Sequence, residues 1–181
     1  MESKEYLFLK NKFTLTPIDA SLWKKLRMRP QNFPETRIRQ FAALLYQSEF
    51  LLSASLEAQS VDALRELFTL RQNDEDTYRH LLPPLPIGTT SIDTLIINTV
   101  VPYKYARGRQ EEALAILEAL PSENNTIIRQ WKLLGQKVQN AADSQALIHL
   151  FVNYCNDSKC MNCEVAYQIF VTKGERLTSN K

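Results

Sequence analysis

From Pro34 the apolar residues fall three and four apart: Ile38, Phe41, Leu44 and Leu45, then Leu51 and Leu52. That spacing gathers them on one face of an α-helix but scatters them over both faces of a strand, so it commits the segment to helix. The same period returns downstream. Leu64, Leu67 and Phe68 share a face within Val61 to Leu70, and Ala113, Leu114, Leu117 and Leu120 within Arg109 to Leu120. Ile127, Trp131, Leu134 and Val138 mark Glu123 to Asn140, and Leu147, Leu150, Phe151 and Tyr154 mark the helix after it. Only 4 glycines stand in 181 residues. Strand-rich folds and phosphate-cradling loops usually use more, so this scarcity also favours helix.

Proline and capping residues set the boundaries. Lys4 to Leu15 reads as a short helix anchored by Leu7, Phe8 and Phe13. Thr16-Pro17 reads as a second start, with Leu22, Trp23 and Leu26 as its stripe. RPQNFP, Arg29 to Pro34, is a rigid extended turn. Ser53 to Ser60 is a weak, small-residue stretch that reads as a loop or helix end. Asn73 to Leu82 has the acidic first turn of a helix, and PPLPIG, Pro83 to Gly88, breaks the chain. TLIINTVV, Thr94 to Val101, is the one segment whose β-branched run also suits a buried strand. With no partner strand in view it reads as a buried helix, ended or kinked by Pro102. Asp143 or Ser144 is the expected cap of the next helix, Cys155 to Asn162 a connection, and Glu164 to Thr172 the last helix. The expectation is an all-α fold: about eight helices in antiparallel pairs, with no regular repeat. One domain spans 1–172 and a polar tail 173–181.

At 44% hydrophobic and 23% charged the chain can bury a core. It shows no signal-like apolar start and no run long enough to cross a bilayer, which points away from membranes and to the cytoplasm. Enzyme signatures are missing. No G-x-S-x-G, H-E-x-x-H or Walker pattern occurs. His80 and His149 stand in unrelated contexts, and Asp74, Glu75 and Asp76 are adjacent rather than spaced for paired acid–base work. No catalytic residue is assigned.

Net charge is only +2, but it is unevenly spread. Lys24, Lys25, Arg27, Arg29, Arg37 and Arg39 place six positive charges in 16 residues, against Glu35 alone. Such a block can contact phosphates. Arg29 and Arg37 flank the rigid turn, where a guanidinium can be held for bidentate contact. Asn32 and Gln40 add hydrogen bonds, and Phe33 and Tyr46 are candidate stacking platforms. The competing reading is ion pairing within the fold, with Glu111, Glu112, Glu118 and Glu123 as partners.

All the cysteines lie in YCNDSKCMNC: Cys155, Cys160 and Cys163, spaced C-x4-C-x2-C. Thiolates are soft ligands for zinc or an iron–sulfur cluster. Either needs a fourth ligand, for which His149, Asp157 or another chain is the candidate. Cys160 and Cys163 can instead act as a reversible thiol pair. A third reading is packing, with Cys155 in the core as a small apolar residue.

Three blocks carry a resemblance: WKKLRMRPQNFPETRIRQFAAL (Trp23 to Leu44), IGTTSIDTLIINTVVP (Ile87 to Pro102) and SQALIHLFVNYCNDSKCMNC (Ser144 to Cys163). In this order they resemble the bacterial family catalogued as domain of unknown function 2851. The resemblance implies a longer architecture of which this chain is the C-terminal half. It carries over no activity and no catalytic residue. The sequence therefore suggests a helical binding or accessory module that contacts an anionic partner, such as nucleic acid, through the basic block. A metal- or redox-dependent protein using the cysteines is the first alternative, and an interaction scaffold without ligand the second.

Overall fold

The computed structural model describes residues 4–26, 28–48, 50–71 and 86–178. The helix expected at Asn73 to Leu82, the first part of the proline break, Arg27 and His80 lie outside the described residues. Among the described residues every regular element is helical, and the one β-type contact is an isolated bridge between Pro121 and Asn140. The chain divides into two compact units. One comprises Met1–Gln47 with Leu70–Pro86, the other Ser48–Thr69 with Ile87–Lys181.

In the first unit, α1 (Lys4–Lys12) is followed by single 3-10 turns at Ala20–Leu22 and Pro30–Asn32, then by α2 (Pro34–Gln47). The helix expected after Thr16-Pro17 does not form beyond the first of these turns. The Asp19 carboxylate accepts from the Ser21 N–H at 2.8 Å, a local bond that competes with helix. Its supposed stripe gains nothing from burial, because Leu22 and Leu26 are 69% and 85% exposed. In α2 the buried residues are Gln40, Ala43 and Leu44, while Ile38, Phe41 and Leu45 are exposed.

The second unit begins with α3 (Leu51–Glu57), which occupies much of the stretch expected to be loop. Its Ser55 hydroxyl donates to the Leu51 carbonyl at 2.7 Å, so a small polar residue is accommodated inside a helix. α4 (Val61–Phe68) starts at Ser60, whose hydroxyl accepts from the Ala63 N–H, and buries Val61, Leu64 and Phe68. The ambiguous segment is a helix. α5 (Thr89–Leu95) runs through a π turn (Ile96–Val100) into α6 (Val101–Ala106). Pro102 neither ends nor interrupts it. Pro102 has no N–H for an α-type bond, and its ring would crowd the preceding turn. The π turn widens the helix just before it, with the Val101 N–H reaching back to the Ile96 carbonyl. This rod is the core of the unit: Ile92, Ile96, Ile97, Val100 and Val101 are buried, each worth about 2 kcal/mol of apolar transfer.

Beyond it, α6 packs on α7 (Gln110–Ala119), α7 on α9 (Ala141–Leu150), and α8 (Thr126–Leu133) on α9. α8 is shorter than the apolar spacing predicts. It stops where Gly135 takes φ 86°, leaving Leu134 79% exposed. The cap of α9 is Asn140 rather than Asp143 or Ser144. Its side chain accepts from the Asp143 N–H at 2.9 Å, and Asp143 reaches back to the Gln139 N–H. A second π turn (Phe151–Cys155) extends α9. A 3-10 turn (Cys160–Asn162) then leads into α10 (Glu164–Thr178), which continues past the expected end at Thr172.

Candidate anion-binding turn and thiol joint

The described residues of the basic block fall within the first unit, and Lys25, Arg29 and Arg37 have contacts at or beside one turn. The N–H of Asn32 bonds the Arg29 carbonyl at 2.8 Å, and that of Phe33 bonds the Pro30 carbonyl at 3.1 Å. Pro34 then starts α2, so two prolines hold the turn. Arg37, one turn into the helix, donates from Nη2 to Asn32 Oδ1 at 2.7 Å and from Nη1 to Gln40 Oε1 at 3.0 Å. Gln40 is buried and donates in turn to the Pro86 carbonyl at 3.4 Å. The guanidinium is thus oriented by two neutral amide oxygens. Among the described residues these bonds engage two of its five N–H donors.

Lys25 plays a different part. Its ammonium is ion-paired with Glu35 and lies 5.5 Å over the Phe33 ring. The hydrogen bond from Lys25 holds the Glu35 carboxyl below its ordinary range, with a smaller pull from the charge of Arg39. Lys24, Arg29 and Arg39 are exposed and form no ion pair among the described residues. Two of the four glutamates expected as partners are engaged elsewhere: Glu112 with Lys104 and Arg109, and Glu123 with Gln145 and Ser144. One face of Phe33 is taken by Lys25. Tyr46 is exposed near the far end of α2, about 13 Å along the helix from Arg37.

The cysteines belong to the second unit. Cys155 closes the π turn, Cys160 opens the 3-10 turn, and Cys163 is the residue before α10. The packing expectation is reversed: Cys163 is buried at 7% exposure, while Cys155 and Cys160 are exposed. Even so, surrounding protein strips enough water from the Cys155 sulfur to push its thiol up, and the charges of Cys163 and Cys160 add to this. The proposed fourth ligands are held by their own neighbours. His149 Nδ1 is 3.1 Å from Asn153 Nδ2, and Asp157 binds Lys159 Nζ at 2.6 Å. Among the described residues no three His, Cys, Asp or Glu side chains are grouped as a metal ion would require.

With this geometry in view, the comparison with known families gives one match. A model described as "Protein of unknown function (DUF2851)" covers residues 1–126. The chain belongs to the DUF2851 family. No curated protein and no solved structure matches it. The DUF2851 match includes the basic turn, α2 and the rod through Pro102, which are the first two blocks read from the sequence. The cysteine block lies outside it. No helix among the described residues is long and apolar enough to cross a membrane.

The sequence reading missed the largest fully buried side chain among the described residues of this DUF2851 chain. Lys104 is fully buried, donating to the Leu56 carbonyl at 2.6 Å and to Glu112 at 3.1 Å. Arg109 reaches the same carbonyl at 2.7 Å, so two cations close the end of α3. The signal was present: Lys104 continues the line Ile96, Val100 at spacing four, which puts it on the apolar stripe. Likewise Arg65 clamps the buried Asp93 at 2.8 and 3.0 Å, a bidentate pair between α4 and α5.

Proposed function

We propose that this DUF2851 protein is a helical binding module. It grips an anionic, phosphate-bearing partner such as nucleic acid through the Arg29–Asn32 turn and the first turns of α2. The observation that carries the reading is Arg37, oriented by the amides of Asn32 and Gln40 and, among the described residues, paired with no carboxylate. An arginine placed to stabilise its own fold is usually neutralised by an acid, as Arg65 is by Asp93. Arg37 instead presents a fork held by two amide oxygens, a form suited to phosphate oxygens. Lys24, Arg29 and Arg39, near it in sequence, are exposed and form no ion pair among the described residues, while Lys25 is occupied by Glu35.

The test is anisotropy of labelled single-stranded and duplex oligonucleotides, titrated with the full chain at several salt concentrations. Four contacting cations predict a log–log salt slope of about −3 on a single strand, from roughly −0.7 per phosphate. Arg37→Ala should weaken binding about tenfold, the scale of one charge-assisted contact, with the melting temperature unchanged. Unchanged anisotropy at low salt defeats the proposal. So does an Arg37→Ala protein that binds normally but melts early.

A further inference from the structure

The joint between α9 and α10 carries a second chemistry that is independent of the anion-binding reading. The Cys163 N–H bonds the Cys160 carbonyl at 3.2 Å, closing a tight turn over Met161 and Asn162. Such a turn brings its first and fourth Cα atoms within about 7 Å. A disulfide spans about 4.4–6.8 Å between Cα atoms, so the pair can be bridged with little backbone movement. The two thiols are not equivalent. Cys160 is exposed, while Cys163 is buried at the start of α10, whose Tyr167 N–H bonds the Cys163 carbonyl at 2.9 Å.

We propose that Cys160 and Cys163 form a reversible dithiol–disulfide pair that exchanges with low-molecular-weight disulfides. The exposed Cys160 attacks as thiolate on one sulfur of the incoming disulfide. That S–S bond breaks, one small thiolate leaves, and a mixed disulfide remains on Cys160. The Cys163 thiolate then attacks the Cys160 sulfur, forming the Cys160–Cys163 bond and expelling the second small thiolate. Two protein thiols are oxidised by two electrons in all. The incoming disulfide is reduced to two thiols, which take up the two protons released by the protein. The burial of Cys163 suits this order, because it admits a neighbouring sulfur more readily than a bulky reagent. Closure ties the start of α10 to the turn before it.

The reduced full chain, treated with glutathione disulfide, alkylated and mapped by peptide mass, provides the test. The expected product has lost two hydrogens, links Cys160 to Cys163, and leaves Cys155 open to alkylation. Cys163→Ser should hold glutathione on Cys160, and Cys160→Ser should leave Cys163 neither glutathionylated nor bridged. The unsubstituted chain decides the matter should the buried serine disturb folding. Three free thiols after treatment, or a bridge to Cys155, would overturn the proposal.

Discussion

Two basic side chains twelve residues apart show how local partners divide one charge block into different roles. Lys25 is paired with Glu35, and Arg37 is held by amides. Because Lys25 stabilises its charged form, the Glu35 carboxyl titrates below the ordinary glutamate value of about 4.3. The linkage has a definite sign. The pair's contribution is present above the unfolded value and is lost as pH falls through the lower folded one. Both groups are exposed, so the effect on stability is screened. An NMR titration of the Glu35 carboxyl should show a midpoint below that of a free glutamate, and Lys25→Met should raise it. A midpoint unmoved by Lys25→Met would rule out the pairing. This division of roles was not legible in the sequence. Lys25 and Arg37 are both bases beside a turn, and only the path of the backbone decides whether a carboxylate or an amide faces each one.

At the scale of elements, helix ends and buried ions make the sharper statements. Asn125 and Asn140 cap α8 and α9 through their side-chain oxygens, each at 2.9 Å. Replacing either by alanine should cost about 1 kcal/mol in denaturant unfolding. The Lys104 cluster predicts an asymmetry. Glu112→Ala leaves a buried ammonium with a single carbonyl and should cost about 3 kcal/mol. Lys104→Met removes that charge, keeps the Leu56 carbonyl bonded to Arg109, and should cost only about 1 kcal/mol. Equal losses for the two variants would show that the pair is not coupled. Apolar periodicity made most of these helices legible, including the β-branched run from Thr94 to Val101. It erred where a short-range competitor won: the Asp19 side chain before Ser21, Gly135 at positive φ, and the π turn that accommodates Pro102.

At the scale of the molecule, the two units differ in how much they bury. The second contains the rod from α5 to α6, the buried face of α4, and the fully buried Leu120, Ile128 and Ala141. In the first, none of the described side chains from Lys4 to Leu26 is buried. Hydrogen exchange should therefore be slowest in α5, α6 and α7 and fast throughout α1. Strong protection of α1 in the isolated chain would contradict this. The sequence was sufficient to establish helices throughout, the proline-bounded basic turn, the clustering of the thiols and the DUF2851 kinship. These are local properties, set by residue spacing along one backbone. Tertiary structure decided which cysteine is buried, which arginine is held by amide oxygens, and that Lys104 is enclosed. Burial and ion pairing depend on residues far apart in the chain, as Lys104 and Leu56 are, and no spacing rule within one helix reports on them.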